Sequence, residues 1–123
     1  MSQEITLTAS LSAFKTSVMS APVSRFITGA LFDMTGNFWI EGVISVAITA
    51  TAIPLGQITQ PGYCYFKNLD GTNFIRIMNG SGGAKVPKLR TVQIAIFPWD
   101  DTATPYAIAD TAACLMEYVI FSL

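Results

Sequence analysis

The sequence predicts an all-β fold, a two-sheet β-sandwich of jelly-roll-like form, built as one domain over residues 1–123. Three observations predict it. Apolar and polar residues alternate with a period of two in several short runs. Clusters of Gly, Pro, Asn and Asp separate these runs at intervals of roughly eight to twelve residues. No convincing amphipathic helix pattern is present, although Ser10–Ser20 has room for one helical turn. Regular short strands without helices indicate a sandwich or barrel.

The first strand is predicted where Ile5, Leu7, Ala9, Leu11 and Ala13 alternate with Thr6, Thr8, Ser10 and Ser12. One face is apolar and the other hydroxylic, as in a half-buried strand. Ser20-Ala21-Pro22 breaks the chain. Arg25–Asp33 follows, with Phe26, Thr28, Ala30 and Phe32 on one face and Ile27, Gly29 and Leu31 on the other. Both faces are largely apolar, as expected of a strand covered on two sides or lying in an interface. After a turn at Thr35-Gly36-Asn37 come Phe38–Ile40 and a strand over Val43–Thr51, which Pro54 ends.

The centre of the chain reads as a hairpin. Tyr63–Lys67 and Phe74–Ile77 are its strands, and Asn68, Asp70, Gly71 and Asn73 its structural loop residues. Gly71 tolerates positive φ, and Asn and Asp side chains cap turns by bonding nearby backbone. An Asp-Gly between two such runs is a strong hairpin signal. Asn79-Gly80-Ser81-Gly82-Gly83 then reads as a flexible connector, since it lacks the lysine and following helix of a phosphate loop. Val86–Leu89 is an edge segment, and Thr91–Phe97 a strand with Val92, Ile94 and Ile96 on one face. Tyr106–Ala109 and Ala113–Phe121 complete the chain. In the last strand Cys114, Met116, Tyr118 and Ile120 oppose Leu115, Glu117, Val119 and Phe121.

Composition narrows function. The 123 residues suit one domain, and the net charge of −1 provides no footprint for nucleic acid. Lys85, Lys88 and Arg90 read as a solvated loop face in preference to an anion site. Charged residues make up only 12%, about half the usual share. The uncharged run Gly42–Phe66 alternates and contains Thr, Gln, Gly and Pro, so no membrane span is expected. The opening Met-Ser-Gln-Glu-Ile-Thr-Leu lacks the basic and apolar regions of a secretory signal.

Chemistry is expected to be absent. There is no histidine, and Cys64 and Cys114 read as reduced, buried hydrophobes. Asp100 and Asp101 read as turn residues. No catalytic, cofactor-binding or metal-ligating residue is assigned, and no cofactor is expected. Trp39, Trp99, Tyr63, Tyr65, Tyr106 and Tyr118 read as core and interface anchors, a sugar-stacking platform being the alternative.

The run Pro61–Ile75, with Lys88–Phe97 and Thr104–Ala113, resembles a family of small proteins encoded among the virion structural genes of tailed bacteriophages. The shared pattern is Pro-Gly-x-x-x-Φ-x-Asn-Leu-Asp-x-Thr-Asn-Φ, followed by a Leu-x-x-Gly-like turn and Thr-x-Tyr-Ala-x-Ala-x-Thr-Ala-Ala. Arg90-Thr91 departs from it, standing where the pattern has Pro-Gly. The resemblance covers about half the chain and implies a non-enzymatic virion component, a capsid decoration (cement) or minor capsid protein. The spare apolar strand faces add the expectation of a homo-oligomer, dimer or trimer, with virion proteins such as the major capsid protein as neighbours and assembly in the host cytoplasm. A tail, neck or fibre-associated carbohydrate- or receptor-binding module is the alternative. The expected interface residues are Ile27, Leu31, Phe32, Val119 and Phe121, because a sandwich needs only one face of each sheet for its core.

Overall fold

A computed structural model of the chain describes residues 4–13, 15–18, 20–34, 36–99 and 102–122. Thr35 of the expected turn and the pair Asp100 and Asp101 lie outside the described residues. All ten elements are β-strands, and among the described residues there is no helix. Lys15–Val18 forms a turn closed by the Val18 N–H donating to the Lys15 carbonyl, in place of a helical turn.

The chain divides into two compact units, residues 1–34 and 35–123. The single sandwich expected over residues 1–123 therefore narrows to the second unit. The first unit is a two-stranded antiparallel ribbon of β1 (Ile5–Ala13) and β2 (Val23–Phe32), which pair only with each other.

The second unit contains β3 (Trp39–Val46), β4 (Thr51–Ala52), β5 (Pro61–Asn68), β6 (Ile75–Asn79), β7 (Lys85–Leu89), β8 (Ile94–Pro98), β9 (Pro105–Ala109) and β10 (Cys114–Ser122). One sheet has the order β3-β10-β5-β8 and the other β4-β9-β6-β7. In chain order the first strand of the unit pairs with the last, the second with the seventh, the third with the sixth, and the fourth with the fifth. This nesting is one long antiparallel hairpin wrapped on itself, the jelly-roll arrangement. The core lies between the sheets, where Val46, Phe66, Met116 and Ile120 of one meet Ile75, Ile77 and Ala107 of the other, all at most 1% exposed.

That topology corrects the central assignment. Tyr63–Lys67 and Phe74–Ile77 do not pair as a hairpin: β5 and β6 belong to different sheets, and residues 69–74 cross between them. The tip of the long hairpin is instead the glycine-rich Asn79–Ala84 segment joining β6 to β7. There the Gly83 N–H donates to the Gly80 carbonyl at 3.2 Å, and Asn79 N–H to Ala84 at 3.4 Å. Gly80 has φ +90°, and a Cβ on Gly83 would overlap the Asn79 carbonyl.

The expected Val43–Thr51 strand is also two elements. It ends at Val46, and the Thr51 hydroxyl, accepting from Ala47 N–H and donating to the Thr49 carbonyl, holds a bend that carries the chain to the other sheet. A threonine side chain offers the backbone an alternative to the ladder. In the turn before β8, Gln93 N–H donates to the Arg90 carbonyl and Val92 takes φ +56°, where a β-branched residue is strained.

Candidate functional site

The loop residues singled out in the sequence do form a constellation, at a sheet-crossing corner. Asn68 ends β5 and is fully buried. Its Nδ2 donates to the carbonyls of Asn73 (2.8 Å) and Leu89 (2.9 Å), and its Oδ1 accepts from Asp70 N–H (2.8 Å). One amide therefore ties the crossing loop to the end of β7. Asp70 Oδ2 accepts from the backbone N–H groups of Thr72 and Asn73. Those two bonds, Asn73 first, hold its carboxyl below its ordinary range. Asn73 Oδ1 accepts from the Thr111 hydroxyl at 2.9 Å. Gly71 does not take positive φ and has open space around its Cα. The corner is thus built by Asn and Asp side chains and not by glycine freedom.

Two exposed surfaces are rich in apolar residues. The outer face of the β3-β10-β5-β8 sheet follows from strand parity: inward residues of β10 are buried, and Leu115, Glu117, Val119 and Phe121 point outward. Register sets their neighbours in rows. Val43, Glu117, Lys67 and Ile94 form one row, and Glu41, Val119, Tyr65 and Ile96 the next. Trp39, opposite Phe121, is 57% exposed, and Val43, Ile94 and Leu115 are each 53% exposed. Tyr65 Oη donates to Glu117 Oε1 at 2.9 Å across the strands. Partial burial, then this bond and the carboxylate's charge, raise the Tyr65 hydroxyl above its ordinary range.

The ribbon is the second surface. Its register shifts between Leu7 and Ala9, where three steps on β2 match two on β1, and Gly29 at φ +64° supplies the extra residue. Gly29 N–H donates to the Thr8 hydroxyl there. The bulge exchanges the faces of β2. Phe32 and Ala30 lie with Ile5 and Leu7, and Ile27 then joins them, while Phe26 and Leu31 fall on the Thr/Ser face. The expected grouping of Phe26, Thr28, Ala30 and Phe32 is corrected by that one residue. Leu11 and Phe26 are 76% and 73% exposed.

The predicted interface residues therefore separate. Val119 and Phe121 are half-buried on the outer sheet face, and Ile27, Leu31 and Phe32 lie on the ribbon, Ile27 and Leu31 exposed. Val43, Ile94 and Ile96 are surface residues that the sequence does not single out, and they join Trp39 and Leu115 on that face. Ile94 and Ile96 share a parity in the sequence, but only Phe97 on the opposite parity, packed against Phe66 and Trp99, shows which side is inward.

Of the six aromatic residues, Trp39, Tyr63 and Tyr65 share one sheet face and Trp99, Tyr106 and Tyr118 lie elsewhere. Trp99 packs on Phe66 and Phe97 at 6.3 and 5.7 Å, and its Nε1 donates to the Ala103 carbonyl. Tyr118 is buried, while Trp39, Tyr63 and Tyr65 lie on the outer sheet face. An apolar recess of about 370 Å³ opens beside Trp99, lined by Ile77, Pro87, Phe97 and Pro98 with Asn79 at its polar side.

Cys64 and Cys114 are free and buried, and burial pushes the Cys64 thiol up to about 12. The Cys114 thiol is raised by burial first, then by Asp70 and Asp110. Cys64 is opposite Ile120, six residues along β10 from Cys114. That spacing is about 20 Å of strand, far beyond disulfide reach. Among the described residues no three His, Cys, Asp or Glu side chains gather as metal ligands. Among the described residues no helix is long and apolar enough to cross a membrane.

No family model matches the chain, and no curated protein matches it. Among solved structures, the cupin domain of Schizosaccharomyces pombe Cnp3 is similar over 96% of this chain and 84% of that one, at 12% identity and TM-score 0.43. A likeness of that degree adds nothing to what the strand order itself establishes.

Proposed function

We propose that this chain is a non-enzymatic structural subunit of a tailed-bacteriophage virion, a capsid decoration or minor capsid protein that self-associates and docks on neighbouring virion proteins. The observation that carries the assembly role is the apolar outer face around Val43, Ile94, Leu115 and Val119; the ribbon, taken by itself, also exposes Leu11, Phe26, Ile27 and Leu31. Contiguous apolar surface marks interaction sites. A two-stranded ribbon is marginal by itself and gains stability by being covered. The virion setting rests on the sequence pattern at Pro61–Ile75, Lys88–Phe97 and Thr104–Ala113.

Sedimentation velocity of the full chain across a wide concentration range tests self-association. The wild type should associate, and Val119→Lys should shift it toward monomer by about tenfold or more in concentration, because an unpaired charge is expelled from a closed interface. Phe32→Glu on the ribbon should act in the same direction. Far-UV circular dichroism should remain that of a β-protein in both. A wild type that stays monomeric at every concentration contradicts the assembly reading and favours the carbohydrate- or receptor-binding alternative.

A further inference from the structure

The two outer faces of the sandwich differ in charge. On the β4-β9-β6-β7 sheet, Arg76 pairs directly with Lys88 on one side and Ile108 on the other. Inward neighbours Ile75, Leu89 and Ala109 are buried, so Arg76 and Lys88 point away from the core. Both cations hold to one ring: Lys88 Nζ lies 4.1 Å and Arg76 Cζ 5.3 Å from the Phe74 centroid. Lys85 adds a third positive group to the depression of about 280 Å³ that Phe74, Arg76, Ile48 and Ile108 line. Asp110 is the one carboxylate among the described residues lining it. Like charges at directly opposed positions destabilise a sheet, and the ring's electron-rich face offsets only part of that. A carboxylate supplied from outside would relieve the rest.

The opposite face has the complementary pattern. Glu41 and Glu117 flank exposed Val43, with Lys67 the only cation in those rows. Glu117 is held in place by Tyr65 through one oxygen. Face against like face, two copies would set cations on cations or concentrate carboxylates. Face against opposite face, the charges match and the apolar residues, Val43 and Leu115 on one side and Phe74 and Ile108 on the other, meet between them.

We infer that copies of this chain stack head to tail, with the Glu41–Glu117 face of one seated on the Arg76–Lys88 face of the next. This deepens the self-association proposed above and rests on it. The contact is heterologous, so it does not close on two copies and instead extends as a row.

Charge reversal on full-length chains tests it. Arg76→Glu with Lys88→Glu makes both faces acidic, and Glu41→Lys with Glu117→Lys makes both basic. Each variant alone should lose about tenfold or more in self-association by sedimentation velocity. Mixed in equal amounts, the two should associate again, alternating along the row, because each interface then joins opposite signs. Recovery on mixing is a result that misfolding of either variant would not give. A wild type that associates while both variants behave like it, or a mixture that fails to recover, overturns the stacking and leaves self-association standing. A wild type that never associates overturns both.

Discussion

Replacing Asn68 by Ala should destabilise the sandwich by about 3 kcal/mol or more, as several buried partners lose their hydrogen bonds together. Asn68 is fully buried, and its side chain serves the Asn73 and Leu89 carbonyls and the Asp70 N–H. Alanine satisfies none of them, and a residue of different shape does not replace an amide that both donates and accepts. Its backbone is engaged as well, donating to Gln93 and accepting from Val92. The corner joins β5, the crossing loop and the β7–β8 turn at one residue. The loss should appear as a fall in thermal midpoint on the order of 10–20 °C. An unchanged midpoint would mean the corner is not held this way.

The second large effect is expected at Gly83. Gly83→Ala should destabilise by about 2 kcal/mol or more, because its Cβ would overlap the Asn79 carbonyl and open the hairpin tip between β6 and β7. Gly71→Val, by contrast, should stay within about 0.5 kcal/mol of the wild type, since Gly71 has neither positive φ nor a close neighbour. Chemical denaturation of both variants compares them directly. If Gly71→Val were the damaging change, the long hairpin would turn at Asn68–Asn73 and the present strand order would be wrong.

These two glycines show how much of the fold was legible. Alternation located the strands well: Cys114, Met116, Tyr118 and Ile120 share the buried face of β10 as their period requires. The turn signals located the connections. Neither signal says whether a connection returns to the same sheet or crosses to the other. Asp70-Gly71 has the composition of a hairpin turn, yet the deciding group is Asn68, whose partner Leu89 lies 21 residues away. Asn79–Gly83 reads as flexible until the ladder between β6 and β7 is known.

The candidate surfaces were legible only in part, for the same reason. Val119 and Phe121 could be placed opposite the buried parity of their own strand. Their neighbours Glu41, Tyr65 and Ile96 come from other strands through register, which local sequence does not contain. On the ribbon, the Gly29 bulge shifts Ile27 to the face of Ile5 and Leu7. A single extra residue reverses the parity of everything beyond it. Lys88 groups in sequence with Lys85 and Arg90 as a loop face, yet Lys85 and Lys88 lie on β7, and Lys88 meets Arg76 over Phe74 only because β6 pairs with β7.

The proposed role as an assembled virion subunit is tested most directly by locating the chain on the particle that carries it. A copy bearing a small terminal label, incorporated during phage growth and imaged by negative-stain electron microscopy of purified particles, should decorate them at regular, repeating positions. Label absent from intact particles, with the chain recovered only in the soluble fraction, would contradict the virion role.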